Sequence, residues 1–167
     1  MNHPRIHNPR GLLVALSIVL LGAFLVTLPP ASAGARHGGE NGVQRFLFLG
    51  TDPSRDGTPA TVVASGPIHA KGTDTVLSDT EDKLTFPAGT ISLTHHPKTS
   101  GDSFDPVTCL FRFRERGTYQ ITGGTGAYEG ARGHGHYTVK GLGVGCDENT
   151  PPEVFMLSIS AKGPIHL

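Results

Sequence analysis

Apolar and polar side chains alternate in short runs along residues 60–167, and the period is two. That period places successive side chains on opposite faces of an extended chain, so each run predicts a strand with one buried face. In the first run Val62, Ala64, Gly66, Ile68 and Ala70 fall on one side, with Val63, Ser65, Pro67 and His69 on the other. Further strands are predicted over 73–78, 83–86, 89–96, 107–114, 118–122, 131–140 and 153–167. An acidic turn at Asp79-Thr80-Glu81-Asp82, Pro87-Ala88, a loop over 96–106, a turn at Glu115-Arg116-Gly117 and a loop over 141–152 separate them. The result is an all-β domain of about eight strands, the size of a small closed antiparallel barrel. Before it, VQRFLFL at 43–49 reads as a short strand or as an arm lying on the barrel. It stands between a pattern-free lead-in, GARHGGENG, and a turn-rich linker over 51–59, so 34–59 is expected to be a flexible N-terminal segment.

One stretch breaks the alternation sharply. Residues 117–133, GTYQITGGTGAYEGARG, run from a strand into Gly123, Gly124 and Gly126, then back into a strand. Glycine reaches φ > 0 without a Cβ clash, so three in four positions specify a tight structural turn. A phosphate-cradling loop fits poorly: no Lys-Ser/Thr follows, the G-x-G-x-x-G spacing is missing, and a strand rather than a helix comes next. GGTGAYEGARG resembles the signature of the allene oxide cyclase and dirigent barrel families, including their secreted bacterial relatives. The resemblance is sharp over 117–133 and looser over 60–167. It implies a calycin-like, closed eight-stranded antiparallel barrel around an apolar cavity, often in a dimer or trimer.

A second internal pattern bears on closure. Ala64-Ser65-Gly66-Pro67-Ile68-His69 recurs as Ala161-Lys162-Gly163-Pro164-Ile165-His166. Proline donates no backbone hydrogen and belongs at irregular pairings, so the two copies are expected to meet where the barrel shuts.

The first residues, 1–33, read as a secretory signal peptide. Arg5 and Arg10 precede an uncharged apolar run over 11–28, and Ala31-Ser32-Ala33 offers a cleavage site before Gly34. The run is also close to the length that spans a bilayer, so an uncleaved anchor stays open. Fourteen basic and fourteen acidic residues balance, which gives no overall field for nucleic acid or a charged lipid surface. Tryptophan is absent, against a stacking platform for bases. The cysteines, Cys109 and Cys146, read as one disulfide in an oxidising compartment.

Candidate chemistry is sparse. His134 and His136 share a strand face, as metal ligands would, but that face also holds Arg132, Thr138 and Lys140 and reads as solvent-facing. His69 and His166 fall outside by the same parity. Asp79, Glu81 and Asp82 lack the spacing of a calcium loop and read as a solvated turn. No metal or other cofactor is implied. His95 shares parity with Ile91 and Leu93, Tyr119 with Ile121, and Tyr137 with Val139. These three are the candidates to line a cavity, with Asp74 and Asp105 as charged companions. No catalytic constellation is assignable from spacing. The expected function is therefore a secreted barrel binding a small apolar molecule, without nucleic acid or, after cleavage, membrane as partner. The alternatives are an isomerase or cyclase, which the family resemblance implies, or a dirigent-like protein steering a reaction's outcome.

Overall fold

The computed structural model describes residues 41–51, 59–147 and 150–167. The expected leader over 1–33, the lead-in before Asn41 and nearly all of the 51–59 linker lie outside them. Eight strands follow in order: β1 (Asn41–Gly50), β2 (Ala60–Ser65), β3 (Ala70–Ser78), β4 (Glu81–Phe86), β5 (Gly89–Asp105), β6 (Leu110–Gly124), β7 (Arg132–Val144) and β8 (Val154–His166). Each pairs antiparallel with its sequence neighbour, and β1 pairs with β8 to close the barrel. Inward positions alternate as a pleated strand requires. Phe46, Val62, Leu84, Ile91, Ile121 and Ile165 form the heart of the core, each at most 2% exposed.

The barrel starts at Asn41, not near Ala60. VQRFLFL is neither a flexible segment nor an arm: its alternation sends Phe46 and Phe48 into the core, and the strand fills the gap between β2 and β8. This also corrects the seam. The two copies of the repeat do not meet; they flank β1, so that Phe46 faces Ala64 on one side and Ala161 on the other. Where Gly66-Pro67 interrupts β2, the fully buried Gln44 takes over. Its Oε1 accepts the Ile68 N–H at 2.9 Å and its Nε2 donates to the Ile68 carbonyl at 3.1 Å. The side-chain amide replaces the ladder bonds that this part of the chain lacks.

Three expected breaks are continuous strand. β5 passes through Pro97 at a register shift, beyond the point where β4 ends opposite it at Glu81 and Thr94. A proline there removes a donor that no strand would have met. The runs at 107–114 and 118–122 belong to one strand, because residues 115–117 keep pairing on both sides, with Ser100, Thr99 and Pro97 and with Val139, Thr138 and Tyr137. Val107, expected in the earlier run, lies in the β5–β6 turn and is exposed. β7 likewise continues to Val144 through what read as a loop. The far ends of β5 to β8 therefore project past the closed barrel as a four-stranded extension. Cys109 and Cys146 are bonded across its tip, with Cα atoms 4.5 Å apart.

The opposite end is sealed. A single 3-10 turn (Gly126–Tyr128) after β6 tucks under the β4–β5 turn, with Ala127 N–H donating to the Ala88 carbonyl at 2.9 Å. Tyr128 packs edge-on against Phe86, ring centroids 6.0 Å apart. Gly126 adopts φ +63°, and a Cβ there would also strike the Ala88 carbonyl. Gly124 is constrained differently: a Cβ would meet the Tyr128 and Thr90 carbonyl oxygens. At Gly123 only an Arg132 nitrogen, 3.6 Å away, would be met.

Candidate functional site

Two glycines decide where the tyrosines lie. Across β6 and β7, Gly117 sits opposite Tyr137, and Tyr119 opposite Gly135. A Cβ on Gly117 would collide with the Tyr137 ring, and one on Gly135 with the Tyr119 ring. Each ring thus lies over its partner strand's missing side chain, which fixes both phenols inside the barrel. Gly117 serves this fit and makes no turn.

Below the extension these rings border a cavity of about 40 Å³. Apolar walls come from Phe46, Phe48, Leu93, Val139, Ile159 and Ala161. Polar groups enter from Asp82, His95, Glu115, Tyr119 and Tyr137. All three residues expected from parity, His95, Tyr119 and Tyr137, therefore share one space.

Their surroundings differ. Tyr119 is 4% exposed, and among the described residues its hydroxyl has no hydrogen-bond partner. Burial pushes its pKa up to about 12, because a phenolate could not be solvated there. Tyr137 instead donates to Glu115 Oε1 at 2.8 Å. His95 lies 5.8 Å from Tyr137, ring to ring and edge to face. Its Nε2 is 3.4 Å from Asp82 Oδ2, and both side chains are about nine-tenths buried. That distance allows ion pairing, yet neither ring nitrogen of His95 meets hydrogen-bond geometry with another described residue. An imidazole held beside a buried carboxylate, facing an apolar space, is equipped to orient or exchange a proton with an occupant.

Asp82 corrects the sequence reading, which left it in a solvated turn. Only Asp79 and Thr80 form the turn; β4 begins at Glu81 and points Asp82 inward with Leu84 and Phe86. The alternation of Asp82, Leu84 and Phe86 carried that signal. Glu115 was likewise missed, because a Glu-Arg-Gly triplet reads as a turn when its parity with Phe113 and Tyr119 is ignored. The other expected companions do not join the site. Asp105, at the end of β5, has a carboxylate that accepts from the Thr108 hydroxyl and from the Val107 and Thr108 N–H groups, which lowers its pKa. Asp74 is buried in β3 but does not line the cavity. His69, His134, His136 and His166 are exposed on the outer wall. Among the described residues no three metal-ligating side chains cluster. Gly123, Gly124 and Gly126 sit at the sealed end and touch none of this.

No family model and no curated protein matches the chain. Among solved structures, the pterocarpan synthase dirigent protein GePTS1 aligns with 77% of this chain and 86% of its own. The identity is 9% and the TM-score 0.25, a likeness too slight to carry an argument.

Proposed function

We propose that the barrel binds a small, largely apolar molecule bearing an oxygen that pairs with the Tyr119 hydroxyl. The observation that carries this reading is Tyr119 itself. A hydroxyl buried without a partner costs roughly 1–3 kcal/mol, which an occupant's carbonyl or hydroxyl would recover. The apolar walls supply the rest of the affinity. The space holds only the head of such a ligand, and the half-buried Phe113 on the extension and Leu157 at its base offer a path for its remainder. The leader pattern over 1–33 and the Cys109–Cys146 bridge both support an exported protein. The glycine-turn resemblance supports kinship with the allene oxide cyclase and dirigent barrels.

Titration of the full chain with cyclohexanone, followed by NMR, tests the binding. Shifts confined to Tyr119, His95, Phe46 and Leu93, and abolished by Tyr119→Phe, are expected. Binding that is absent, or that is indifferent to Tyr119, rejects the reading.

The Asp82–His95 pair favours a second reading, an isomerase or cyclase that moves a proton on an enolisable substrate. Here the imidazole would take a proton from carbon next to a carbonyl that Tyr119 polarises. In D₂O, exchange of the α-protons of cyclohexanone should then exceed the rate seen with His95→Ala. Equal rates leave binding alone.

A further inference from the structure

The balanced total charge hides a strong segregation. β6, β7, β8 and β1 are contiguous in the barrel, and together they contain one acidic residue, Glu115, which points inward to Tyr137. Their outer faces carry seven exposed cations: Arg45, Arg112, Arg114, Arg116, Arg132, Lys140 and Lys162. The opposite wall mixes signs: Lys83 and Glu81 both stand on the outer face of β4, and Lys71 is exposed on β3. Nor are the cations spread to minimise repulsion. Arg114 stands directly across from Lys140, and Lys162 across from Arg45. Like charges in directly opposed strand positions destabilise a sheet, so the arrangement calls for something outside the fold that rewards it.

The same wall exposes aliphatic side chains between the cations. Leu142 and Met156 are cross-strand partners next to Arg112. Leu49 lies opposite Ser158, whose other neighbour is Lys140, and Leu47 is two positions along. Cations hold phosphate groups while short aliphatic side chains enter the boundary between headgroup and acyl chain. We propose that this wall docks on an anionic phospholipid bilayer surface, holding the barrel against a membrane by its side. A second copy of the chain is a poor occupant, because face-to-face contact would bring seven cations against seven with no carboxylate on the outer positions of these strands. Nucleic acid fits less well, since the outer positions of these four strands hold no Phe, Tyr or Trp for stacking.

Vesicle co-sedimentation of the full chain tests this, with phosphatidylcholine alone and with phosphatidylglycerol added. The apolar run over 11–28 is common to every variant, so differences between variants read the wall. Parent protein should bind the anionic vesicles, and added salt should release it. Arg114→Gln/Lys140→Gln, which also relieves a like-charge pair, should weaken binding about 30-fold. Leu142→Ser/Met156→Ser should weaken it by roughly tenfold. Lys71→Gln/Lys83→Gln on the other wall should leave it unchanged. Equal binding of the parent and Arg114→Gln/Lys140→Gln to anionic vesicles, or equal loss in the opposite-wall variant, overturns the proposal. So does tight retention on DNA that Leu142→Ser/Met156→Ser leaves intact, or a dimer that the same change dissociates while vesicles bind nothing.

Discussion

At the scale of single residues, Tyr119 and His95 are side chains at the edge of a cavity whose polar atoms make no hydrogen bond among the described residues. Removing an unsatisfied buried hydroxyl relieves a desolvation cost, so Tyr119→Phe should hold or raise the melting temperature, by up to about 1 kcal/mol of stability. Most buried tyrosines lose stability on that change, which makes calorimetry a direct check. The raised phenol pKa adds a pH dependence. The folded state keeps its proton to about pH 12, whereas an unfolded tyrosine releases it near pH 10. The unfolded state therefore binds fewer protons between these values, and stability should fall as pH rises through that window, by roughly 1–2 kcal/mol. Below pH 10 the contribution is intact. Urea titrations at a series of alkaline pH values should show a shallower decline in Tyr119→Phe than in the parent. These residues were legible in the sequence because strand parity places side chains reliably. Asp82 was not, since an acidic residue beside a turn looks solvated until the strand's first position is known.

At the scale of elements, the β6–β7 hairpin separates architecture from site. Its sealed end depends on Gly126, whose left-handed backbone costs about 1–2 kcal/mol when a Cβ is added. Gly126→Ala, and Gly124→Ala through collision with two carbonyls, should therefore lower the melting temperature by several degrees. Gly123→Ala, where a Cβ would make only an ordinary contact with the Arg132 side chain, should change it little. Equal effects at Gly123 and Gly126 would contradict the assigned geometry. The strand count of eight was right for partly wrong reasons. Alternation alone leaves the run at 43–49 outside the barrel and divides one long strand at Glu115-Arg116-Gly117, and the two differences cancel in the count. Both arose because local signals outweighed pairing: a short run between loop-like flanks, and a glycine whose purpose is to admit the Tyr137 ring from the next strand. Gln44 was beyond sequence reasoning altogether, because its partner, the backbone of Ile68, lies 24 residues away.

At the scale of the whole molecule, a closed barrel carries an open-sided extension whose tip is held by Cys109–Cys146. The bridge spans 37 residues of sequence, for which chain entropy gives about 3–4 kcal/mol. Cys109→Ser/Cys146→Ser should lose stability on that scale, and fraying of the tip should appear as faster amide exchange between residues 105 and 112. The composition's neutrality was legible, but its partition into a cationic wall and a mixed one required knowing which strands are neighbours. On the proposed function, the cavity end recognises a ligand and the glycine end only builds the barrel. Cyclohexanone affinity and melting temperature measured together on Tyr119→Phe and Gly126→Ala test it most directly. Tyr119→Phe should lose binding with its melting temperature kept, and Gly126→Ala should lose melting temperature with affinity per folded molecule kept. Loss of binding in Gly126→Ala at undiminished stability, with Tyr119→Phe binding normally, would contradict it.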